Sequence, residues 1–369
     1  MVLRIARRTK SRPAAAPANP DYRHLSHPFE PQQVFSSDRI AAMHDMALRL
    51  LQEHGIDILD PEALALLERH GARVMNQTVR IGPDMVAEAL RTAPARYRMR
   101  APNPARDQDI YPGRLLFSPG GGCPNVTDRI RGRRAGDLAS YQDAVRLMQS
   151  FDVIHKLSPA PEPQDVPVNE RHYAMIRTQL ALSDKPLTVY ARGRTQVTQA
   201  FDLMREALQL SDAEFEADSW CSTVINTNSP RLIDRPMAQG LIDFARAGQL
   251  AIVTPFCLAG AMAPITVAGA LVLQHAEALA AITLHQMARP GAPVMYGGFG
   301  SNVDMRSGAP AFGTPDYMRA TQISGQMARF YGLPLRASNA CAANAPDGQA
   351  MWESAFSLWA CVSSRVNMV

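Results

Sequence analysis

A strand-like run followed by a glycine-rich loop occupies residues 291–308 and reads Gly291-Ala-Pro-Val-Met-Tyr-Gly-Gly-Phe-Gly-Ser-Asn-Val-Asp-Met-Arg-Ser-Gly308. The run Pro293-Val-Met-Tyr296 is short, apolar and bounded by Pro and Gly, which predicts a buried strand. The loop holds glycines, where a side chain would crowd the backbone or a ligand, with one aromatic and one acid: Gly297, Gly298, Gly300, Phe299 and Asp304. This pattern indicates a ligand site, and a plain strand-to-helix turn is the alternative.

The same strand pattern recurs on both sides of this stretch and alternates with helices. The strand-like segments are Leu115–Ser118, Val153–Ser158, Leu187–Tyr190, Trp220–Ile225, Ala251–Phe256, Val294–Tyr296, Leu335–Ser338 and Val366–Val369. Amphipathic helices are predicted over 137–150, 167–183, 195–210, 233–248, 264–289, 314–332 and 346–362, several with Pro-Asp start signals or Gly stops. Such alternation is typical of parallel βαβ units. Eight evenly spaced strands favour an α/β fold of the TIM (β/α)8 barrel type over an open doubly wound sheet.

The chain divides into three predicted regions. Residues 1–35 form an extended arm that is basic and then Pro/Ala-rich, and that either wraps a partner subunit or is partly disordered. Residues 36–112 contain helical patterns after Ser37, Asp60-Pro61 and Gly82-Pro83, and form an N-terminal helical cap region. Residues 113–369 form the barrel. Because the sequence stops on an apolar strand, we expect the barrel to be truncated at strand 8.

Composition excludes several function classes. The formal charge of +4 owes much to the first fourteen residues, so the nearly neutral body predicts no nucleic-acid partner. No apolar run approaches the roughly 18 to 20 residues of a membrane span, and we expect no membrane partner. The five cysteines are dispersed and indicate reduced, mostly buried thiols of a cytoplasmic protein. No His, Cys or acid cluster has metal-ligand spacing, so no metal is predicted.

The site of a barrel of this kind lies at the carboxyl ends of its strands. The predicted substrate-binding residues there are aromatic side chains, amides and one acid: Tyr190, Asn226, Asn228, Phe256, Tyr296, Phe299, Phe312, Asn339 and Glu162. No His follows a strand, and no Ser-His-Asp set is present. Aromatic faces, one or two carboxylates and little acid–base equipment suit a cation that cannot donate hydrogen bonds, such as a quaternary ammonium. The many small residues leave room for something wide to cover the mouth.

Structural interpretations of the same residues stay open. Tyr190 and Tyr296 could pack between sheet and helices, and Glu162 could be a solvated loop acid. Asp304 could form only a surface pair with Arg306. Separately, Arg192 and Arg194 either bind a substrate carboxylate or contact the cap region. His275 and Glu277 are interpreted as helix-packing residues.

The later part of the chain resembles the trimethylamine methyltransferase family of corrinoid-dependent enzymes. The likeness extends from about residue 30 to the end. The residues that carry it are Gln274-His-Ala-Glu-Ala-Leu-Ala280, Pro290-Gly-Ala-Pro-Val-Met-Tyr-Gly-Gly-Phe299, Asp304-Met-Arg306, Gly313-Thr-Pro-Asp316, Tyr331-Gly-Leu-Pro334 and Pro346-Asp-Gly-Gln-Ala350. Family members are longer than this chain.

The resemblance implies a TIM barrel that passes a methyl group from a methylated amine to the Co(I) of a separate corrinoid protein docked over the mouth. The cobalamin-type cofactor would then be presented by this partner, with none bound tightly. The position of the family's pyrrolysine falls near Asn344 or Ala345, so the resemblance favours a non-pyrrolysine member acting on a quaternary amine such as glycine betaine. It implies catalytic roles for Asp304, Phe299 and Asn344, and a corrinoid-facing surface at Gly120, Gly121, Gly297 and Gly298. We also expect a homo-oligomer.

Two other functions remain open at this point. The chain could be a non-catalytic quaternary-amine-binding protein. It could also be a different metal-independent TIM-barrel enzyme; a lyase or aldolase would need a Schiff-base lysine or metal ligands at strand ends, and the sequence shows neither there. Lys156 is the only lysine within a predicted strand, and Lys185 precedes strand 3.

Overall fold

The computed structural model describes residues 22–369, so most of the predicted arm lies outside the described residues. The α-helices are α1 (Ser37–Arg49), α2 (Pro61–Arg69), α3 (Pro83–Thr92), α4 (Leu138–Gln149), α5 (Arg171–Leu182), α6 (Arg194–Leu208), α7 (Asp212–Ala217), α8 (Arg235–Arg246), α9 (Val267–Ala288), α10 (Pro315–Phe330) and α11 (Gly348–Ser363). The strands are β1 (Leu25–Ser26), β2 (Ile56–Ile58), β3 (Arg73–Met75), β4 (Thr78–Arg80), β5 (Tyr97–Met99), β6 (Gln108–Ile110), β7 (Arg114–Leu115), β8 (Asn125–Asp128), β9 (Gly132–Ala135), β10 (Leu187–Thr188), β11 (Cys221–Ile225), β12 (Leu232–Ile233), β13 (Leu250–Val253), β14 (Leu258–Ala259), β15 (Val294–Gly297), β16 (Ser301–Asn302) and β17 (Leu335–Arg336).

The predicted helices are present, with ends shifted by a few residues, and the short helix α7 is an addition. Their start signals act as expected. The Asp60 carboxylate accepts a hydrogen bond from the Ala63 N–H at 3.0 Å, and Asp347 caps α11 by accepting from the Ala350 N–H at 3.1 Å. Each cap satisfies an amide that has no partner inside the first helical turn.

The central sheet is parallel, in the order β10-β11-β13-β15-β17. Each strand is followed by a helix that returns the chain to the next strand, as βαβ connections require. Every residue of β13 and β15 is buried, because helices cover one face and the opposite strands cover the other.

Isolated bridges and single hydrogen bonds connect further segments to the two edges of this sheet, in a ring-like arrangement. Met368 bridges Arg336 on one side and Leu116 on the other, both in parallel. The His155 N–H donates to the Phe117 carbonyl at 2.9 Å, and the Leu157 N–H donates to the Pro186 carbonyl at 3.1 Å. The fold is therefore α/β and TIM-barrel-like. A continuous eight-stranded sheet, however, is not formed within residues 22–369.

The predicted eighth strand, Val366–Val369, forms only isolated bridges at Met368. The predicted second strand, Val153–Ser158, is not a strand either. Its neighbour Leu187 follows Pro186, which has no N–H to donate, so a regular ladder cannot extend on that side. The segment is held instead by the single bonds described above. It still places Lys156 and Ser158 in the ring, which matters for the site below.

The N-terminal region covers part of the outer ring of helices, around α9. Helices α1, α2 and α3 contact α9, and α2 also contacts α8. Strand β12 of the main body pairs with β2 and completes a four-stranded sheet in the order β12-β2-β4-β3. The Arg194 guanidinium on α6 binds Glu62 on α2 at 2.7 Å, so this arginine contacts the N-terminal region.

Helix α9 is apolar on all sides because it is surrounded by protein. It is long and apolar enough to cross a membrane by length and composition, but most of it is buried inside the protein. The N-terminal helices cover its outer face and the sheet covers its inner face. A helix that is apolar all round is expected in such a position.

Candidate active site

A cavity of about 410 Å³ opens at the carboxyl ends of the strands. Its wall includes residues from most of the predicted strands and from the loops that follow them. The lining residues are Ser118, Pro119, Gly121, Gly122, Lys156, Ser158, Pro159, Thr188, Tyr190, Val224, Asn226, Thr227, Asn228, Asp234, Met237, Ile252, Thr254, Phe299, Arg336, Met368 and Val369. Its volume is in the range of small-molecule sites.

Two cationic side chains, those of Lys156 and Arg336, line this cavity. Lys156 is only 4% exposed, and its Nζ donates to the Thr188 Oγ1 at 2.8 Å. Burial, reinforced by the nearby Arg336 charge, lowers the pKa of Lys156 to about 7. Burial also lowers the pKa of Arg336. Neither cation forms an ion pair with residues 22–369, although an unpaired buried charge is costly.

Aromatic rings form a row beside Arg336. The Phe299 ring lies between Phe256 and Phe312, with both centroid distances 5.1 Å, and Phe312 contacts Tyr317 edge-on at 5.6 Å. Only Phe299 lines the cavity. The Arg336 Cζ lies 5.9 Å from the Phe299 centroid, so the aromatic surface and a cationic group are close enough to contact one small molecule.

The loop after β11 supplies the two predicted asparagines, Asn226 and Asn228, to the cavity wall. The Asn228 Oδ1 accepts from the Asp234 N–H at 3.2 Å, and the Asp234 carboxylate caps α8 by accepting from the Met237 N–H at 2.9 Å. Asp234 therefore places one negative charge at the cavity in a position fixed by the helix start.

Glu277 of α9 holds this loop from behind. Its buried carboxylate accepts hydrogen bonds from the Ser229 hydroxyl and the Arg231 N–H, both at 2.7 Å, and also from the Thr227 hydroxyl. Glu277 is thus a packing residue, as interpreted from the sequence, and it also shapes the wall that carries Asn226 and Asn228.

Tyr190 lines the cavity, but its polar and aromatic groups already have partners. Its hydroxyl donates to the Pro159 carbonyl at 2.7 Å and accepts from the Gly122 N–H at 2.8 Å. The Arg192 guanidinium lies 4.1 Å from its ring centroid. Glu162 binds Arg171 at 2.7 Å and also Arg192, and these hydrogen bonds, with that of Arg192 first, lower its pKa. The charge of Glu162 is therefore compensated by two arginines, and the residue lies outside the cavity wall.

Several predicted residues lie elsewhere. Tyr296 is buried on the helix side of the sheet, where its hydroxyl contacts the His275 Nδ1 at 3.0 Å. Alternation along a strand directs it away from the cavity. At Gly297 a Cβ would come within 2.3 Å of the Thr254 hydroxyl, and at Gly298 within 2.8 Å of the Ser324 hydroxyl. These two glycines allow close packing of neighbouring segments, and the cofactor contact predicted for them stays a prediction.

The predicted polar residues Asp304, Asn339 and Asn344 lie on exposed loops and not in the cavity wall. The Asp304 carboxylate accepts from the Ser307 hydroxyl at 2.6 Å and from the Arg306 N–H at 3.1 Å. These bonds, with that of Ser307 first, lower its pKa. Asp304 therefore stabilises its own turn in this structure, which is the local interpretation, although Arg306 contributes its amide and not an ion pair.

The glycine loop after the first strand is less closely packed than Gly297 and Gly298. Gly121 lines the cavity, and a Cβ at Gly120 would meet nothing within 4 Å. The Gly120 carbonyl accepts a hydrogen bond from the Ser158 hydroxyl. The space beside Gly120 is open, and the cofactor contact predicted for Gly120 and Gly121 stays a prediction.

Three residues of the cavity wall, Lys156, Arg336 and Asp234, are not among the site residues predicted from the sequence. A signal existed for the first two, because each is the charged residue of an otherwise apolar strand segment. Asp234 resembled an ordinary helix cap, and only the fold places that cap at the cavity. No group of three or more His, Cys, Asp or Glu side chains suitable for a metal occurs in the part of the chain that the structure describes.

Comparison with known proteins identifies the family. The profile of the trimethylamine methyltransferase (MTTB) family matches residues 4–369. The chain belongs to this family. It is 31% identical to the glycine betaine methyltransferase of Desulfitobacterium hafniense (strain Y51), over 91% of this chain and 70% of that protein. It is 28% identical to the L-carnitine:corrinoid methyltransferase of Eubacterium limosum, again over 91% and 70%.

Solved structures show the same fold in the wider group of methyltransferases. The monomethylamine methyltransferase of Methanosarcina barkeri aligns with a TM-score of 0.59 at 9% identity, covering 90% of this chain and 68% of that one. This similarity confirms a TIM-barrel-like architecture. The relatives of the MTTB family are named as methyltransferases of glycine betaine, carnitine and trimethylamine, so the enzyme class predicted from the motifs is confirmed.

Proposed function

We propose that this MTTB-family protein transfers a methyl group from a carboxylate-bearing quaternary amine, such as glycine betaine, to the Co(I) of a corrinoid carried by a separate protein. The names of its relatives supply the reaction class. The chemistry of the cavity supplies the substrate class.

The observation that carries the proposal is the pair of cations, Lys156 and Arg336, in one cavity beside Phe299. Two cationic groups without an acidic partner among the described residues form a site for a carboxylate, and a guanidinium can bind one with two hydrogen bonds. Trimethylamine and choline have no carboxylate to offer. A betaine would place its carboxylate against these cations.

The ammonium end of a betaine would face aromatic and amide groups. The Phe299 ring, backed by Phe256 and Phe312, offers a face that attracts a cation by about 0.5 to 2 kcal/mol. Asn226, Asn228 and Asp234 complete this side of the wall. Asp234 supplies a countercharge, while its role as a helix cap limits how closely it can approach the ligand.

The reaction requires no proton transfer, which agrees with the composition of the cavity. Co(I) is a strong nucleophile and would accept the methyl group. The electron pair of the broken C–N bond stays on nitrogen, so the tertiary amine leaves without a general acid. The chain then has to bind both ends of the substrate, align the methyl group and exclude water. The open loop at Gly120 and Gly122 leaves room for the corrinoid partner to approach.

The proposed function also implies a domain arrangement, a cellular location and an oligomeric state. Residues 113–369 would form a (β/α)8 barrel, with 36–112 as a region covering its outer helices. The corrinoid would be held by the partner, not tightly by this chain. We further propose a cytoplasmic homo-oligomer, with neither nucleic acid nor membrane as a partner.

The test is a calorimetric titration with glycine betaine, carnitine, proline betaine, choline and trimethylamine, using wild type and Arg336→Met. We expect a carboxylate-bearing amine to bind wild type, and the variant to lose at least about tenfold in its affinity while choline binding changes little. Transfer is then followed by the visible absorbance of the corrinoid protein. Equal affinity of the variant for betaines would remove the proposed anion site, and binding without transfer would favour a non-catalytic binding protein.

A second candidate function is favoured by Lys156 itself. A buried lysine with its pKa lowered to about 7 is suited to attack a carbonyl carbon and form a Schiff base with loss of water. Incubation with small aldehydes and ketones plus borohydride, followed by mass spectrometry of the Lys156 peptide, tests this. A stable adduct that is absent from Lys156→Met would support a carbonyl-directed activity at this lysine, and turnover of the same carbonyl compound would have to follow.

A further inference from the structure

We propose that the hairpin of β8 and β9, residues 125–135, is the docking surface for an acidic face of the corrinoid-carrying protein. The inference rests on the proposed function, which requires a second protein to reach the cavity mouth. The hairpin follows the glycine loop that lines this mouth. The sequence pattern alone indicated only a Gly/Pro loop at its beginning.

The hairpin carries an excess of positive charge. It contains four arginines, Arg129, Arg131, Arg133 and Arg134, against the single acid Asp128. The Arg131 Nε lies 2.7 Å from Asp128, and Arg134 pairs with Asp137 at 3.2 Å. Arg129 and Arg133 are exposed and form no ion pair with any residue from 22 to 369. Most of the chain's body is nearly neutral, so this charge is local.

The tip of the hairpin presents an apolar side chain in a fixed turn. Ile130 is 94% exposed. The Asp128 Oδ1 accepts hydrogen bonds from the N–H groups of Ile130 at 3.0 Å and Arg131 at 2.7 Å, which shapes the turn. A fully exposed isoleucine flanked by arginines resembles the centre of a protein interface, where an apolar contact is surrounded by charge.

The base of the hairpin is attached to the next loop at the mouth. The Gly136 N–H donates to the Pro124 carbonyl, and the Glu162 N–H donates to the Cys123 carbonyl, both at 2.9 Å. A Cβ at Gly136 would come within 2.5 Å of the Glu162 carbonyl oxygen, so glycine permits this contact. The hairpin is therefore positioned relative to the cavity by backbone contacts.

Other loops of the same face expose apolar side chains. Val168, Ile265 and Met305 follow the second, fifth and sixth strand segments and are 65%, 67% and 71% exposed. Ile265 and Met305 both approach the Gly260 position, at 2.9 and 3.5 Å from a Cβ built there, so they form one patch. Together with Ile130 they provide apolar contacts around the mouth, while the arginines supply attraction at longer range.

Position and charge favour a protein partner over nucleic acid or membrane. A nucleic-acid surface usually extends over a face of the domain, whereas these charges are confined to one hairpin beside the cavity. The methyl acceptor must enter at this mouth, and its carrier necessarily contacts the loops around it. A partner with acidic groups opposite Arg129 and Arg133 fits both conditions.

The experiment uses the full chain and the corrinoid protein encoded nearest to its gene, loaded with cobalamin. Arg129→Glu/Arg133→Glu is compared with Arg73→Glu/Arg80→Glu, which reverses the same number of charges on another hairpin, where these exposed arginines face each other across β3 and β4. We expect the first variant to slow association at low salt by about tenfold or more, and the control variant to match wild type. The difference should shrink at high salt.

A second readout separates docking from catalysis. With free Co(I) cobalamin as acceptor, methyl transfer by Arg129→Glu/Arg133→Glu should equal that of wild type, because the cavity is unchanged. If Arg129→Glu/Arg133→Glu loses partner binding but wild type itself transfers no methyl group, the docking proposal is supported and the proposed function is refuted. Partner binding that is equal in wild type and both variants, or absent in wild type, would overturn the docking proposal. So would a selective loss of binding to DNA or to anionic vesicles alone.

Discussion

At the level of single residues, protonation of Lys156 should make the binding of a carboxylate ligand depend on pH. Its ammonium donates to Thr188 and lies near the Arg336 guanidinium, and Asp234 lines the same cavity. Its pKa of about 7 means that the lysine loses its proton near neutrality. A bound carboxylate favours the protonated form, so binding above this pH requires proton uptake.

We therefore expect the dissociation constant for glycine betaine to rise with pH above about 7, approaching tenfold per pH unit. Calorimetric titrations from pH 6 to 9 measure this. Choline, which lacks the carboxylate, should show no such slope. Lys156→Met should bind betaine more weakly and with little pH dependence, and an unchanged slope in that variant would assign the titration to another group.

Phe299 and Asp304 give a matched pair of variants at the same scale. Phe299 lines the cavity, whereas Asp304 lies on an exposed turn. Phe299→Ala removes an aromatic face and should weaken binding of a quaternary amine by about 1 to 2 kcal/mol, or roughly 5- to 30-fold. Asp304→Ala should leave binding and methyl transfer close to wild type. If activity is lost in Asp304→Ala and kept in Phe299→Ala, the catalytic role predicted for Asp304 is restored.

At the level of elements, Glu277 couples α9 to the loop after β11. Without its carboxylate, the buried Thr227 hydroxyl and the part-buried Ser229 hydroxyl and Arg231 N–H lose their acceptor. Each unsatisfied group costs about 1 to 3 kcal/mol when buried, and less where water can replace the acceptor. We expect Glu277→Ala to reduce the free energy of unfolding by about 3 to 5 kcal/mol in urea titrations and to raise the dissociation constant of the ligand.

Glu277→Gln separates a positioning role from a direct one. The glutamine oxygen can still accept hydrogen bonds, so this variant should recover much of the stability and of the affinity. Because Glu277 acts through Asn226 and Asn228, the pH dependence of binding should stay that of wild type. A changed pH profile would indicate that Glu277 contacts the ligand itself.

Most elements were predictable because their signals are local. The cap residues Asp60 and Asp347 start the helices they were predicted to start, and the apolar run at Val294 is a strand. The second predicted strand failed because ladder formation depends on its neighbour, which begins after Pro186. The β8–β9 hairpin was missed because its strands are short and polar.

At the level of the whole molecule, buried histidines control stability in mild acid. Burial lowers the pKa of His275 to about 3 and that of His155 to about 4. The His155 Nδ1 accepts from the Phe117 N–H at 3.0 Å, which requires the neutral ring. In the unfolded chain the same rings take up protons near pH 6.5, so the unfolded state binds more protons between these values.

The free energy of unfolding should therefore fall as the pH falls from about 6.5 towards 4. Urea unfolding at a series of pH values measures the slope. His275→Gln should remove the contribution of one histidine to the change of the unfolding free energy with pH, even if the substitution also changes stability at neutral pH. Lys156, with its pKa of about 7, is almost fully protonated in both states below about pH 6, so the two proteins are compared between pH 6 and 4. A slope unchanged in His275→Gln would contradict the assignment.

The sequence alone determined the alternation of strands and helices and the family. It also predicted that the site lies at the carboxyl ends of the strands. These follow from periodicity, capping residues and motifs, which are properties of neighbouring residues. The cavity wall depended on the fold, because alternation turns Tyr296 towards the helices while the packing of distant segments places Lys156 and Arg336 in one cavity. Those two cations are 180 positions apart in the sequence, since 336 minus 156 is 180. No local pattern relates them, and only the packing of the strands around a ring makes them parts of one site.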